Sequence, residues 1–128
     1  MKNKKEITQN QLLLIPKTER YIQYMLELIL KLPRVEKFNI GNEYKNSMYQ
    51  MLENILYLSK IEDNKCLEIL NKIDAKLNCQ RIFLRIMKAN RWIDEHKFNV
   101  AMEKILELGK ILGGLIKYYA QNNKKSIW

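Results

Sequence analysis

Residues 66–87 read CLEILNKIDAKLNCQRIFLRIM. Within them Cys66, Leu70, Ile73, Leu77, Gln80, Leu84 and Met87 follow at alternating steps of four and three. That spacing keeps one helix face turned toward its neighbours and makes the seam of a coiled-coil-like bundle. Gln80 is the one polar member. If buried it needs a hydrogen-bonding partner, because an unpaired amide in an apolar setting is costly.

Working outward, Asp63 or Asn64 is expected to cap this helix. Before it, Tyr44, Met48, Met51, Leu52, Ile55, Leu56 and Leu58 mark a second helix that ends at the polar run Glu62-Asp63-Asn64. A first helix is expected from about Ile15-Pro16, where proline suits the first turn and Thr18 and Glu19 place oxygens near the unpaired amides. Its stripe is Ile22, Met25, Leu26, Ile29 and Leu32, and Pro33 stops it before a linker from Arg34 to Gly41. After residue 87 comes a break between Ala89 and Glu95, with Asp94 as the cap. The last helix then carries Phe98, Met102, Ile105, Gly109, Leu112, Ile116 and Tyr119. Gly109, Gly113 and Gly114 each cost about 1 kcal/mol against alanine in a free helix. Close approach of a neighbouring helix or subunit would compensate, or the chain bends near Gly113.

These readings predict an all-α, up-down-up-down four-helix bundle over 15–123. A mobile basic arm at 1–14, with Lys2, Lys4 and Lys5, is expected before it, and a basic tail at 124–128 after it. The chain of 128 residues, with 47% hydrophobic and 29% charged side chains, has the size and composition of one helix-rich domain. No apolar run nears the roughly 18 residues needed to span a bilayer, and no signal-peptide pattern occurs. A cytoplasmic protein with no membrane partner is therefore expected. Cys66 and Cys79 share a helix about 20 Å apart, which predicts two reduced thiols packed as small apolar groups.

The formal net charge is +9. Residues 1–75 hold 12 basic and 10 acidic side chains, whereas residues 76–128 hold 11 and 4. An excess gathered in one half is the footprint of a polyanion binder. Arg81, Arg85 and Lys88 stand at i, i+4 and i+7, one stripe along the third helix, and Arg91 extends it by a turn. Guanidinium forks grip phosphate oxygens in pairs. Lys104, Lys110 and Lys117 on the fourth helix, then Lys124 and Lys125, widen that surface. The competing reading pairs Arg81 and Arg85 with carboxylates of a neighbouring subunit.

Motifs for chemistry are sparse. With a single histidine and two cysteines 13 apart, the chain has no zinc-ligand or di-iron spacing, and no metal or cofactor is expected. The patterns GxxxxGK[ST] and GxSxG do not occur. Arg91 and His96, with four residues between them, resemble the Arg-x(4–6)-His motif of HEPN-type ribonucleases, in which arginine holds the phosphate and histidine moves a ribose proton. Trp92 stands where that motif usually has a polar residue.

The stretches IPKTERY (15–21), LPRVEKFNIGNE (32–43), KLNCQRIFLRIMK (76–88) and LGKILGGLIKY (108–118) resemble the accessory variability determinant (Avd) proteins of diversity-generating retroelements. That group sits in a wider four-helix-bundle family with proteins encoded in ribosomal-RNA intervening sequences, and the same motifs fit that branch as the alternative reading. The resemblance implies a homopentameric barrel of bundles with no enzymatic activity. It also implies binding of template RNA or DNA and of the element's reverse transcriptase, in support of mutagenic cDNA synthesis. By motif, Arg81 and Arg85 match two arginines of the family's third helix, and Arg20 a basic position of its first. The lysine-rich remainder and the tail after Tyr119 depart from the pattern.

Apolar residues beyond the seams point to self-association. Val100, Leu106, Leu108, Ile111, Leu115 and Tyr118 fall off the fourth stripe, and Ile82, Phe83 and Ile86 off the third. Some of these must widen the bundle core; the rest form an exposed patch larger than soluble monomers tolerate, and burying it in a heterologous contact repeated about an axis closes a ring. A closed cyclic homo-oligomer is expected, with five copies on the resemblance alone.

Overall fold

The computed structural model describes the backbone of residues 4–127 and the side chains of residues 9–123. Four long helices form it: α1 (Lys4–Leu30), α2 (Ile40–Tyr57), α3 (Asp63–Ala89) and α4 (Glu95–Ile127). A one-turn helix, Arg34–Lys37, follows Pro33, and a 3-10 turn, Leu58–Lys60, follows α2. No strand occurs among the described residues. Each long helix packs on the next and α4 closes back on α1, so the up-down-up-down bundle is the architecture.

The third helix behaves as its spacing demands. All seven seam residues from Cys66 to Met87 are buried. Gln80 is 0% exposed, and its amide is satisfied. The carbonyl oxygen accepts from the Tyr21 hydroxyl at 2.6 Å, and the nitrogen donates to Ser47 Oγ at 3.0 Å and toward Met51 Sδ at 3.8 Å. Tyr21 and Tyr44 share a 2.5 Å hydroxyl contact, and Ser47 donates to the Lys76 carbonyl at 3.3 Å. One polar string thus ties α1, α2 and α3 at their common centre. Burial pushes the Tyr21 and Tyr44 hydroxyls above the usual tyrosine value, so the string stays protonated through neutral pH.

Several boundaries differ from the expectation. The first helix starts at Lys4, with Pro16 inside it rather than in its first turn. Proline there removes a backbone N–H hydrogen bond and crowds the carbonyl four residues earlier. Tertiary contacts hold the extension. Leu14 is 1% exposed, and Gln11 Nε2 donates to Tyr119 Oη at 2.9 Å, across 108 residues of chain. Thr18 lies mid-helix, fully buried, and its hydroxyl has no hydrogen-bond partner among the described residues, so it caps nothing. The arm lysines Lys2, Lys4 and Lys5 and the tail lysines Lys124 and Lys125 fall outside the described side chains.

Asp63 is the first residue of α3 and not its cap; Glu62 holds that place without a side-chain bond. Asp94 does cap α4, its Oδ1 accepting from the Lys97 amide at 2.8 Å. The seam of α4 is turned from the expected one. Ile105, Leu112 and Tyr119 are buried, but so are Ala101, Leu108 and Leu115, while Phe98, Met102, Gly109 and Ile116 are half-buried. Leu108 and Leu115 are thus the off-stripe residues that widen the core.

The glycines divide. Gly41, at the start of α2, is approached by backbone as well as side chain: a Cβ there would lie 3.0 Å from Ile29 Cγ2 and 3.2 Å from the Glu36 carbonyl oxygen. A Cβ at Gly109 would meet the Arg81 guanidinium, and one at Gly113 would meet nothing within 4 Å. The helix runs on unbroken through Gly113 and Gly114. Cys66 is buried and Cys79 exposed, both free, so only Cys66 acts as a small core group.

Candidate nucleic-acid interface

The solvent ridge of α4 carries Lys110 and Lys117, both exposed. Grooves against α3 and against α1 run along its two sides, and the other expected cations line them. On the α3 side Arg81 is half-buried. Its Nη2 lies 2.8 Å from where a Cβ on Gly109 would be, so the missing side chain of Gly109 is the space the guanidinium occupies. Its Nε is buried with no hydrogen-bond partner among the described residues. Arg85, Lys88 and Arg91 continue the line in solvent toward the end of α3. The Lys88 ammonium rests 4.4 Å from the centroid of the Phe98 ring, a cation–π contact to the first turns of α4.

On the α1 side Arg20 is exposed and shares a small cleft with Lys17, Tyr21, Lys104 and Glu107. Lys17 is paired with Glu107, and Lys104 sits 5.5 Å from the Tyr24 ring centroid. The bundle therefore gathers the eight expected cations on the flank centred on α4, but in three rows: Arg81, Arg85, Lys88 and Arg91; Lys110 and Lys117; Arg20 and Lys104. Among the described residues the ion pairs are Lys17–Glu107, between α1 and α4, and Lys72–Glu68, one turn apart on α3. Neither involves any of the eight.

Three exposed apolar side chains lie on the helices that carry these cations: Leu106 at 50%, one turn before Lys110 on α4, and Ile82 at 49% and Ile86 at 40% on the outer face of α3. Further apolar exposure lies elsewhere, at Leu12, Leu13, Leu56 and Tyr57, and at Leu30, Val35 and Phe38. The Arg91–His96 pair straddles the α3–α4 connection, Arg91 before it and His96 in the first turn of α4, both exposed.

Sequence reading missed part of the basic surface. Lys31, at the end of α1, and Lys97 and Trp92 join Lys88 and Arg91 around an open groove at one end of the bundle. Only the fold brings Lys31 there, since its own neighbours in sequence carry no pattern that points to α3. Among the described residues no group of three or more His, Cys, Asp or Glu side chains is placed to hold a metal ion. No helix searched there is long and apolar enough to cross a membrane.

Residues 12–119 match the family described as bAvd-like. No curated protein matches the chain.

Proposed function

The chain belongs to the bAvd-like family, and from that premise we propose that it is a non-enzymatic accessory protein of a diversity-generating retroelement. In this reading it holds the element's template RNA or DNA and its reverse transcriptase together, in support of mutagenic cDNA synthesis in the cytoplasm. The observation that carries the proposal is the flank centred on α4, where eight cations stand without an acidic partner among the described residues. Like charges stacked along a helix repel, so such a surface gains from a polyanion. Contact is to phosphates and depends little on base sequence.

The test is a salt titration of binding to labelled RNA and DNA. Each phosphate neutralised contributes about −0.9 to the slope of log K against log salt on duplex, or about −0.7 on a single strand. Replacing Arg81 and Arg85 together by glutamine is expected to weaken binding and to shallow the slope by about 1.4 on single strands or about 1.8 on duplex. Affinity that is flat in salt, or a double variant that binds like the unchanged protein, removes the phosphate reading.

The exposed apolar side chain of Leu106, one turn from Lys110 on α4, and those of Ile82 and Ile86 on the outer face of α3 favour a protein contact beside this flank. Such mixed surfaces suit the docking of a polymerase or of a second copy. We also propose a closed cyclic homo-oligomer, of five subunits by the family resemblance. A ring repeats the basic flank around its axis and lets one strand engage several copies with added avidity. Light scattering at micromolar concentration and physiological salt is expected to give a multiple of the 15.4 kDa chain. A monomer under those conditions overturns the ring.

A further inference from the structure

Where α1 ends and α3 turns into α4, Lys31, Lys88, Arg91 and Lys97 surround an open groove of about 610 Å³ with Trp92 in its wall. That volume lies within the roughly 300–1,000 Å³ of small-ligand clefts. None of the four cations has an acidic partner within ion-pair distance among the described residues. Of the two carboxylates in the same wall, Asp94 is committed to capping α4 through the Lys97 amide, where the helix dipole offsets its charge. The Lys88 ammonium rests over the Phe98 ring, 4.4 Å from its centroid.

The backbone adds a second, independent observation. The Trp92 amide donates to the Met87 carbonyl and the Arg91 amide to the Lys88 carbonyl, both at 2.9 Å. This pair of bonds is a Schellman ending, and its left-handed position falls on Arg91, with φ at 61°. Glycine takes that conformation without steric penalty, and arginine does not. Arg91 thus carries its charged side chain at a position whose backbone favours glycine. The same ending sets Trp92 beside it, half-buried, in the groove wall.

We propose that this groove is a subsite for one unpaired nucleotide of single-stranded RNA or DNA, with its phosphate among Lys31, Lys88, Arg91 and Lys97 and its base stacked on Trp92. The proposal rests on the nucleic-acid reading above and deepens it. Phosphate contacts along α4 serve duplex and single strand alike, whereas only a base freed from its own stack offers a face to an indole. The bundle end would then select unpaired strands.

Binding of short labelled single-stranded RNA, single-stranded DNA and a matched duplex is compared by fluorescence anisotropy for the full chain and two variants. Trp92→Leu is expected to weaken single-strand binding roughly 5- to 150-fold, the equivalent of about 1–3 kcal/mol per stacked base, and to leave the duplex unchanged. Arg91→Gly is expected to shallow the single-strand salt slope by about 0.7 while raising the unfolding midpoint, so that its loss of binding is not loss of fold. Quenching of Trp92 emission by single strands, read in a Trp128→Phe background, is the direct signature. If both variants bind single strands as the unchanged protein does, while the Arg81 and Arg85 double variant fails to, the subsite is wrong and the phosphate reading stands. If the unchanged protein binds no nucleic acid, both fall. Parallel losses on duplex and single strand also overturn the subsite, because stacking then plays no part.

Discussion

Gln80→Ala is expected to destabilise the fold by about 3–5 kcal/mol, from a cavity at a fully closed site together with lost hydrogen bonds. Gln80 is 0% exposed, and neighbours packed around a side chain that size relax only partly into the space it leaves. The loss of partners is cushioned. Tyr21 keeps the Tyr44 hydroxyl and Ser47 keeps the Lys76 carbonyl, so no hydroxyl of the string is wholly abandoned. Gln80→Leu, which fills most of the volume but makes none of the bonds, is expected to cost only about 1–2 kcal/mol. Urea denaturation of the two variants separates the contributions. A Gln80→Ala penalty below about 1 kcal/mol would mean that α1, α2 and α3 are not joined through this string.

Leu14→Ala carries the second large effect, a loss of about 2–4 kcal/mol. The side chain is 1% exposed and shares a cleft with Leu12, Ile15, Ile55 and Leu58, between the first half of α1 and the end of α2. The same stretch reaches the far end of the chain through Gln11 and Tyr119. Burial pushes the Tyr119 hydroxyl up to about 12, with Cys66 the next contributor. Its folded value is raised, so the stability this burial gives is present in full below the ordinary tyrosine value and is lost as pH rises through about 12. If residues 1–14 were instead an arm lying free, truncating Leu14 would change stability by no more than about 0.5 kcal/mol. The denaturation midpoint of the variant decides.

The candidate interface was legible where its residues share one helix. Arg81, Arg85 and Lys88 read as a stripe because spacing along a helix is spacing on its surface, whereas Arg91, expected to extend it by a turn, lies past the helix end in a left-handed conformation. What crosses between helices was not legible. The seat of Arg81 over Gly109, the contact of Lys88 with Phe98 and the meeting of Lys31 with Arg91 and Trp92 each depend on the relative height of two helices. Sequence period carries no information about that height.

By itself the sequence determined the all-helical class, the four long helices and their alternating direction, the buried seam of α3, the need of Gln80 for a partner and the Asp94 cap. These follow from local period, from short connections and from the chemistry of a lone amide. Only the tertiary structure decided where α1 begins, which face of α4 turns inward and what approaches each glycine. Residues 4–14 have too little apolar pattern to announce a helix, and two contacts with distant segments hold them in one despite Pro16. The stripe on α4 is wide because that helix packs on both α1 and α3. A wide stripe admits two seams about one residue apart, and the neighbours choose the one through Leu108 and Leu115. Gly41 is pressed by Ile29 and the Glu36 carbonyl because Pro33 folds the chain back on the end of α1, a turn whose direction no local pattern specifies.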